Sequence, residues 1–292
     1  MAWLQVSFFS TSLGRSVPLN VLLPQPMQMP GMPKKEPEPF KTLYLLHGYM
    51  GNYTDWLMNT QITEMSQQFN IAVVLPSGNN GFYVDQEKNR VLGSTYISKE
   101  LVEFTRKLLP LSDKREDTFI GGLSMGGYGA LYNGLKNPEV FGAIIALSSA
   151  VLSSIVKSAT DEVNMMGITK NYFRAILGND CYDYDVEASE YNPSVLAKKI
   201  KDEGKPLPNL YIACGYNDML VLANRQIHED LVKMGFDHCY EEGPGTHEWA
   251  FWNRHLRRGL ARLIKLPEMP AGFVNPFSVN LREDKYIPDD LK

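Results

Sequence analysis

The sequence has little cysteine, no marked excess of charge of either sign and no long apolar run. Its three cysteines, Cys181, Cys214 and Cys239, are too few and too scattered among 292 residues to form a disulfide framework. The net charge of −4, from 29 basic and 33 acidic residues, gives no indication of a nucleic-acid or anionic-membrane partner. No apolar run approaches the roughly 20 residues needed to span a bilayer. These absences argue against a disulfide-stapled domain, a nucleic-acid-binding protein and a membrane protein.

Compartment and general class follow from the same composition. Residues 1–15 have no basic region ahead of a long apolar core, so they do not predict a signal peptide. Unpaired cysteines are typical of a reducing compartment, and we therefore expect a cytoplasmic protein. Hydrophobic residues make up 44% of the chain and charged residues 21%, which predicts a globular protein with a large core.

Short apolar stretches alternate with amphipathic ones along most of the chain. Strands are predicted at 4–10, 16–23, 42–46, 71–75, 118–123, 143–147, 210–214 and 238–242. Helices are predicted at 56–69, 98–109, 128–136, 170–177, 193–201, 220–234 and 248–264. We expect Thr54 or Asp55 to cap the first helix and Asn192 to cap the fifth. The alternation predicts an α/β fold whose mostly parallel central sheet has helices on both faces.

Residues 1–292 are interpreted as a single domain with three irregular segments. The strand rhythm stops at about 150–208, which we interpret as a cap-like insertion over the site. The segment 24–39 is rich in proline and methionine, so it is predicted to be an exposed loop rather than a helix or a central strand. The tail 266–292 is also rich in proline and is predicted to be irregular.

The most informative motif is Gly122-Leu123-Ser124-Met125-Gly126. It is a G-x-S-x-G pattern between a predicted strand and a predicted helix, as in a nucleophile elbow. Such an elbow turns sharply with the serine at its apex, and side chains at the two flanking positions would collide, so glycine is needed there. The helix N-terminus behind the serine offers free N–H groups to a developing anion.

A serine hydroxyl needs a general base, and the base needs a carboxylate to orient it. In an elbow-type fold both follow the serine in the chain, the acid first, each after a strand. Asp218 follows the strand at 210–214; alone it is equally consistent with a cap for the helix near Met219, but the elbow upstream and a histidine downstream favour catalysis. Three rival carboxylates lie in the insertion rather than at a strand end, namely Asp180, Asp183 and Asp185.

His247 is the expected base because it follows the last strand and begins the last helix. A helix-start histidine without a chemical role is the alternative. Three other histidines fall within predicted elements and are interpreted as surface or core residues, namely His228, His238 and His255.

An oxyanion in an acyl-transfer reaction needs preorganised hydrogen-bond donors. The backbone N–H of Met125, the residue after the serine, is expected to be one donor. The other is expected from the loop His47-Gly48-Tyr49, with the N–H of Tyr49 preferred and that of Gly48 as the alternative. The alternative is that this loop only turns the chain and has no role in catalysis.

The remaining motifs are weak. His247-Glu248 lacks the second histidine of H-E-x-x-H, and no cluster has metal-ligand spacing, so no metal is predicted. The glycines around Ser124 do not form G-x-G-x-x-G, so no nucleotide or other cofactor is predicted. Gly48 and four aromatic residues are candidates for the substrate pocket. Phe82 and Tyr83 are expected at its mouth, whereas core packing is favoured for Trp56 and Tyr128.

Taken in order, these motifs resemble the esterase D family of α/β-hydrolases, also called the putative esterase family, and most closely its tributyrin-esterase-like members. The residues that carry the resemblance, over about 4–266, are Leu45-Leu46-His47-Gly48, Gly51-Asn52, Asp55-Trp56, Gly122-Leu123-Ser124-Met125-Gly126-Gly127, Asp218 and Gly245-Thr246-His247-Glu248-Trp249. The segments 24–39 and 266–292 look longer than is usual in the family, which leaves both a monomer and a homo-oligomer open.

The resemblance implies an α/β-hydrolase fold and a serine carboxylesterase that needs no cofactor. Its substrates would be small short-chain acyl esters, including acetylated or feruloylated carbohydrates, cleaved through an acyl-serine intermediate. It implies Ser124 as nucleophile, Asp218 as acid, His247 as base, and Tyr49 and Met125 as oxyanion donors. Relatives include S-formylglutathione hydrolases, feruloyl and acetylxylan esterases and mycolyltransferases, so a thioesterase or an acyltransferase is the alternative. A non-catalytic binding protein of this fold would lack a triad member, and all three are present.

Overall fold

The computed structural model describes residues 1–25 and 38–264. Ten strands are present in these ranges, numbered in chain order: β1 (Ala2–Ser10), β2 (Arg15–Leu23), β3 (Lys41–Leu46), β4 (Ile71–Pro76), β5 (Asp85–Gln86), β6 (Val91–Leu92), β7 (Thr118–Leu123), β8 (Ala143–Leu147), β9 (Asn209–Gly215) and β10 (Cys239–Gly243). Eight of them form one sheet in the order β1-β2-β4-β3-β7-β8-β9-β10, and β5 pairs with β6 in a small ribbon.

The large sheet is parallel except at β2. That strand runs antiparallel to both β1 and β4, whereas every other neighbouring pair from β4 to β10 is parallel. The prediction of a mostly parallel sheet is therefore confirmed. Because parallel strands share their direction, the carboxyl ends of β3, β7, β9 and β10 meet at one edge of the sheet, where ligand sites of such sheets occur.

The helical segments are α1 (Asp55–Asn59), α2 (Ile62–Phe69), α3 (Gly93–Thr95), a π-helical turn (Tyr96–Glu100), α4 (Leu101–Leu108), α5 (Met125–Lys136), α6 (Leu152–Ser158), α7 (Lys170–Leu177), α8 (Pro193–Asp202), α9 (Val221–Lys233) and α10 (Trp249–Leu263). No helix in the ranges 1–25 and 38–264 is long and apolar enough to cross a membrane.

The helix predicted at 56–69 is in fact two helices, and Thr60 separates them. Its backbone is extended, its hydroxyl donates to the Trp56 carbonyl, and its oxygen accepts the N–H of Ile62. A threonine that bonds the local backbone in this way competes with helix formation. The expected side-chain cap at Thr54 or Asp55 is also wrong. Thr54 precedes α1 but its side chain makes no capping hydrogen bond, and Asp55 is already the first residue of the helix.

The helix predicted at 98–109 begins earlier, at Gly93, and contains a π turn. Glu100 at the end of that turn accepts hydrogen bonds from Ser10, Thr11 and Ser12 in the turn between β1 and β2. These bonds, at 2.5–3.2 Å, tie α4 to the edge hairpin. A π turn inserts one residue into the helical repeat, which no period-3.6 pattern can reveal.

Apolar side chains cover the sheet on both faces, as the buried strands require. On one face lie α4, α5, α8 and α9, with core residues such as Tyr128, Leu131 and Leu231. On the other lie α1, α2 and α10, with Trp56, Phe251 and Leu256 among the core residues there.

The segment 150–208 contains α6, α7, α8 and a short 3₁₀ turn but no strand. Asn192 caps α8 as predicted, because its side chain accepts the N–H of Ser194 at 2.9 Å while Pro193 fills the first position. The segment is fixed to α5 by the Tyr128 hydroxyl, which donates to the Tyr191 carbonyl at 2.9 Å. Of the predicted Pro-rich loop only residues 24–25 and 38–39 fall in the described ranges, and the predicted tail 266–292 lies outside them.

A buried histidine in α10 makes stability depend on pH. His255 is 4% exposed, stacks on Phe251 at 4.0 Å and lies 2.9 Å from the Tyr211 hydroxyl. Burial, with help from Arg254 and Arg258, lowers the pKa of His255 to about 3. The unfolded chain protonates this histidine near its ordinary pKa of about 6.5. Because the unfolded state then binds the extra proton, stability falls as the pH drops from that value toward 3.

We therefore expect the free energy of unfolding of the wild type to fall more steeply than that of a His255→Gln variant between about pH 7 and pH 4. Urea unfolding at a series of pH values measures both slopes. Equal slopes would contradict the assignment of this pH dependence to His255.

Candidate active site

The backbone at Ser124 is strained in the way a nucleophile elbow requires. Ser124 lies between β7 and α5 with φ 54° and ψ −118°. A Cβ on Gly122 would lie 2.3 Å from the carbonyl oxygen of Gly126, and one on Gly126 would lie 2.5 Å from the carbonyl oxygen of Leu46. Real side chains never approach backbone so closely, so only glycine fits at either position.

Three side chains that are distant in sequence meet at this elbow. His247 Nε2 lies 3.0 Å from Ser124 Oγ, and His247 Nδ1 lies 2.9 Å from Asp218 Oδ2 and 3.2 Å from Oδ1. Asp218 follows β9, and His247 lies between β10 and α10. The ends of three parallel strands thus bring together a hydroxyl, an imidazole and a carboxylate in the geometry of a serine nucleophile with its base and orienting acid.

The Asp218 carboxylate is buried but well provided with donors. Its Oδ1 accepts the N–H of Leu220 at 2.9 Å, the His247 imidazole hydrogen-bonds to its Oδ2 at 2.9 Å, and the Ser148 hydroxyl helps to lower its pKa. Burial alone raises the pKa of Asp218, but these hydrogen bonds outweigh burial and hold the pKa below its usual value. An ionised Asp218 favours the His247 tautomer with the proton on Nδ1. His247 Nε2 is then free to accept the proton of Ser124.

The loop after β3 is anchored from inside by His47. This buried imidazole accepts the N–H of Gly78 at Nε2, 2.9 Å away, so its Nδ1 carries the hydrogen and donates to the Gly48 carbonyl at 2.8 Å. Burial lowers the pKa of His47, which favours this neutral form. The Tyr83 hydroxyl donates to the His47 carbonyl at 2.9 Å.

The same loop passes directly over the elbow at Gly48. A Cβ there would lie 2.7 Å from Leu123 Cδ1 and 3.6 Å from Ser124 Cβ. Among the described residues, the backbone N–H groups of Tyr49 and Met125 donate to no other group. An oxyanion hole requires free donors of this kind near the nucleophile, so Tyr49 and Met125 remain the predicted oxyanion donors.

Phe82 and Tyr83 do not form the mouth of the pocket, and that expectation is wrong. Both are buried, at 2% and 3% exposure, and both have left-handed backbones with φ 55° and 57°. This backbone turns the loop inward, so Phe82 packs on Tyr128 and Phe173 while Tyr83 anchors His47. They support the site from within the core.

Trp56 and Tyr128 also lie in the core, the role that the sequence favours for them. Trp56 is 1% exposed, and its indole N–H donates to the Leu46 carbonyl at 3.0 Å. Trp56 therefore fixes the end of β3, from which the loop 47–49 starts, and is buried in the core.

The insertion contributes one residue that the sequence did not indicate. Tyr172 of α7 packs edge-on against Tyr49 with ring centroids 6.0 Å apart, and its hydroxyl donates to the Asn80 carbonyl. Asn80 in turn accepts the N–H of Met50 at 2.8 Å. Tyr172 thus packs beside the loop after β3. No periodicity marks it, because contact between an insertion and a loop leaves no sequence pattern.

The other polar clusters lie apart from this site. His228 and His238 hydrogen-bond to each other at 2.7 Å, and His255 is buried on α10. In the part of the chain that the structure describes, no group of three or more His, Cys, Asp or Glu residues could hold a metal ion. The rival carboxylates Asp180, Asp183 and Asp185 remain in the insertion, and none contacts His247.

Comparison with known proteins decides the family. A model described as Putative esterase matches residues 10–263. The chain belongs to this esterase family. The esterase is 40% identical over 269 residues to an acetyl esterase of Caldicellulosiruptor saccharolyticus, and the match covers 92% of this chain and 100% of the relative.

Two solved structures from Staphylococcus aureus are similar to this esterase. An S-formylglutathione hydrolase matches with a TM-score of 0.75 at 29% identity, over 90% of this chain and 98% of its own. The fluorophosphonate-binding serine hydrolase F, with substrate bound, matches with a TM-score of 0.74 at 28% identity, over 90% and 98%. The α/β-hydrolase fold and the resemblance to the family are therefore confirmed.

The geometry around Asp218 predicts the effect of neutralising it. In an Asp218→Asn variant the amide can stabilise the wrong imidazole tautomer, so kcat for an ester substrate should fall on the order of 10⁴-fold. Asp183→Asn is the matched control, because Asp183 is exposed and lies in the insertion. Steady-state kinetics of both variants measure the effect; an equal loss in the two, or none in Asp218→Asn, would contradict the role of Asp218.

Proposed function

We propose that this esterase is a serine carboxylesterase that hydrolyses short-chain acyl esters through an acyl-serine intermediate. The observation that carries the proposal is the chain of contacts from Ser124 Oγ to His247 Nε2 at 3.0 Å and from His247 Nδ1 to Asp218 at 2.9 Å. The 40% identity to an acetyl esterase over nearly the whole chain supports the same reaction class and favours ester over thioester substrates.

In the acylation step, Ser124 Oγ attacks the carbonyl carbon of the ester while His247 Nε2 takes the hydroxyl proton. Asp218 stabilises the imidazolium that forms. The negative charge on the former carbonyl oxygen is stabilised by the N–H groups of Tyr49 and Met125, each worth about 3–4 kcal/mol by the effect of removing such a donor. Collapse of the intermediate breaks the ester bond, and His247 gives its proton to the leaving alcohol.

In the deacylation step, water replaces the alcohol. His247 takes a proton from the water as it attacks the acyl-serine carbonyl, and the same two N–H groups stabilise the second oxyanion. Collapse releases the acid and returns the proton to Ser124. The residues of this chain suffice for both steps, so the reaction as written requires no cofactor.

We propose that the acyl group is acetyl and that the insertion contacts the alcohol portion of the ester. The name of the relative supports a short acyl chain. Tyr172 and Tyr49 narrow the site beside the loop after β3. Met50 and Met219 are exposed, at 66% and 82%, and are the chain neighbours of Tyr49 and Asp218. Acetylated carbohydrates are the proposed physiological esters. Feruloylated carbohydrates, which carry a bulkier acyl group, are the alternative.

The first test is loss of the nucleophile. Ser124→Ala should abolish hydrolysis of p-nitrophenyl acetate and labelling by a fluorophosphonate probe, while the thermal unfolding midpoint stays close to that of the wild type. Exposed Ser158→Ala, on α6, is the matched control and should keep both properties. Residual activity of Ser124→Ala at the wild-type level would overturn the proposal.

The second test is a substrate panel. Because the acyl site is proposed to be short, kcat/KM should be highest for acetyl esters and fall with each added pair of methylenes, and it should exceed the values for S-formylglutathione and for feruloylated sugars. A higher value for the thioester than for any ester would favour a thioesterase instead. Transfer of the acyl group to a sugar in preference to water would favour an acyltransferase.

We also propose that the enzyme acts in the cytoplasm. Cys181, Cys214 and Cys239 are all free in the structure, and burial raises the pKa of the Cys214 thiol. Free cysteines are the usual state in a reducing compartment.

A further inference from the structure

Ser148 has a backbone that serine rarely adopts. It directly follows β8, is 0% exposed and has φ 46°, in the left-handed region. Its N–H donates to the Ala213 carbonyl at 2.8 Å, which holds this conformation. Glycine adopts such a backbone without strain, so a serine here costs stability unless its hydroxyl is used.

The hydroxyl of Ser148 is held by a buried indole and acts on the proposed acid. The indole N–H of Trp252 donates to Ser148 Oγ at 3.0 Å. An oxygen that accepts there still has its own proton to donate, and the Ser148 hydroxyl helps to lower the pKa of the Asp218 carboxyl group. Trp252 is therefore connected through Ser148 to the proposed acid.

Trp252 also touches the proposed base directly. Its ring packs edge-on against His247, with centroids 4.8 Å apart and planes at 87°. It is only 5% exposed and is held in turn by Trp249, at 5.2 Å and 87°. A single buried indole thus limits rotation of the imidazole and fixes the Ser148 hydroxyl, which favours the ionised Asp218.

Core packing alone does not account for this arrangement. A buried indole N–H needs a partner, and a backbone carbonyl supplies one without strain, as Leu46 does for Trp56. For Trp252 the partner is a strained serine whose hydroxyl favours the ionised form of the acid. Both ends of the acid–base pair therefore depend on the same indole.

We infer that Trp252 and Ser148 are positioning residues for the reaction, which act together to hold Asp218 and His247 in register with Ser124. This inference rests on the proposed esterase activity. Loss of either residue leaves the substrate-binding surfaces in place but allows the acid and the base to rotate away from the reactive geometry. The effect should therefore fall on kcat and leave KM nearly unchanged.

The test uses Trp252→Phe, which keeps a ring but removes the N–H, and Ser148→Gly, which removes the hydroxyl and relieves the strained backbone. Each should lower kcat for p-nitrophenyl acetate about 10-fold, since small misplacements of reacting groups are costly. Because Trp252 reaches Asp218 through Ser148, the double variant should be no slower than the slower single variant, rather than about 100-fold slower. The rate of fluorophosphonate labelling of Ser124 should fall in parallel.

Two matched variants separate positioning from loss of a hydrogen bond elsewhere. Trp3→Phe removes an indole N–H that donates to Asn20 Oδ1 at 2.9 Å on the edge hairpin, and Ser66→Ala removes a buried hydroxyl that donates to the Ile71 carbonyl at 2.8 Å. Both should keep the wild-type kcat, even where the unfolding midpoint falls.

The outcomes are distinguishable from failure of the proposed function. A wild type that cleaves no ester removes the esterase proposal and this inference with it. An active wild type whose Trp252→Phe and Ser148→Gly variants keep its kcat overturns the inference alone, as does a multiplicative loss in the double variant. If Trp252→Phe fails to fold, Ser148→Gly still decides, because glycine fits the backbone at that position.

Discussion

The close approach of two backbones at Gly126 is the constraint on which the rest of the site depends. The first turn of α5 lies so near the end of β3 that a Cβ on Gly126 would be 2.5 Å from the Leu46 carbonyl oxygen and 2.6 Å from that of His47. This contact places the loop after β3 beside the elbow. As a result, this loop lies against the elbow, where a Cβ on Gly48 would be 3.6 Å from Ser124 Cβ. A methyl group added at Gly126 would force the two backbones apart.

The second half of the chain supplies the carboxylate and the imidazole that complete the site around Ser124. Asp218 and His247 lie beyond the ends of β9 and β10, and neighbouring groups contact both of them. Trp56 fixes the start of the loop after β3, whereas Trp252 packs on His247 and donates a hydrogen bond to Ser148. Rigid aromatic packing below the site therefore supports the side chains that the proposed reaction needs.

Much of this arrangement could be predicted from the sequence because its signals are local. Buried parallel strands are short apolar runs, and the elbow needs glycines at fixed positions around Ser124. Departures arose where individual contacts or backbone conformations that leave no sequence pattern decide the structure. Thr60 divides a helix through its own hydrogen bonds, Phe82 and Tyr83 turn inward on left-handed backbones, and Tyr172 meets Tyr49 only after the insertion folds. The use of Ser148 is likewise invisible in sequence, since a strained φ leaves no pattern.

The identity of the acylated residue tests the central claim most directly. An aryl acetate has a good leaving group, so deacylation becomes the slow step and the acyl-enzyme accumulates during turnover. Acid quenching followed by peptide mass spectrometry should then find an acetyl group on Ser124 and on no other residue. Continued hydrolysis of the ester with an unmodified Ser124, or with the acetyl group on another side chain, would contradict the account.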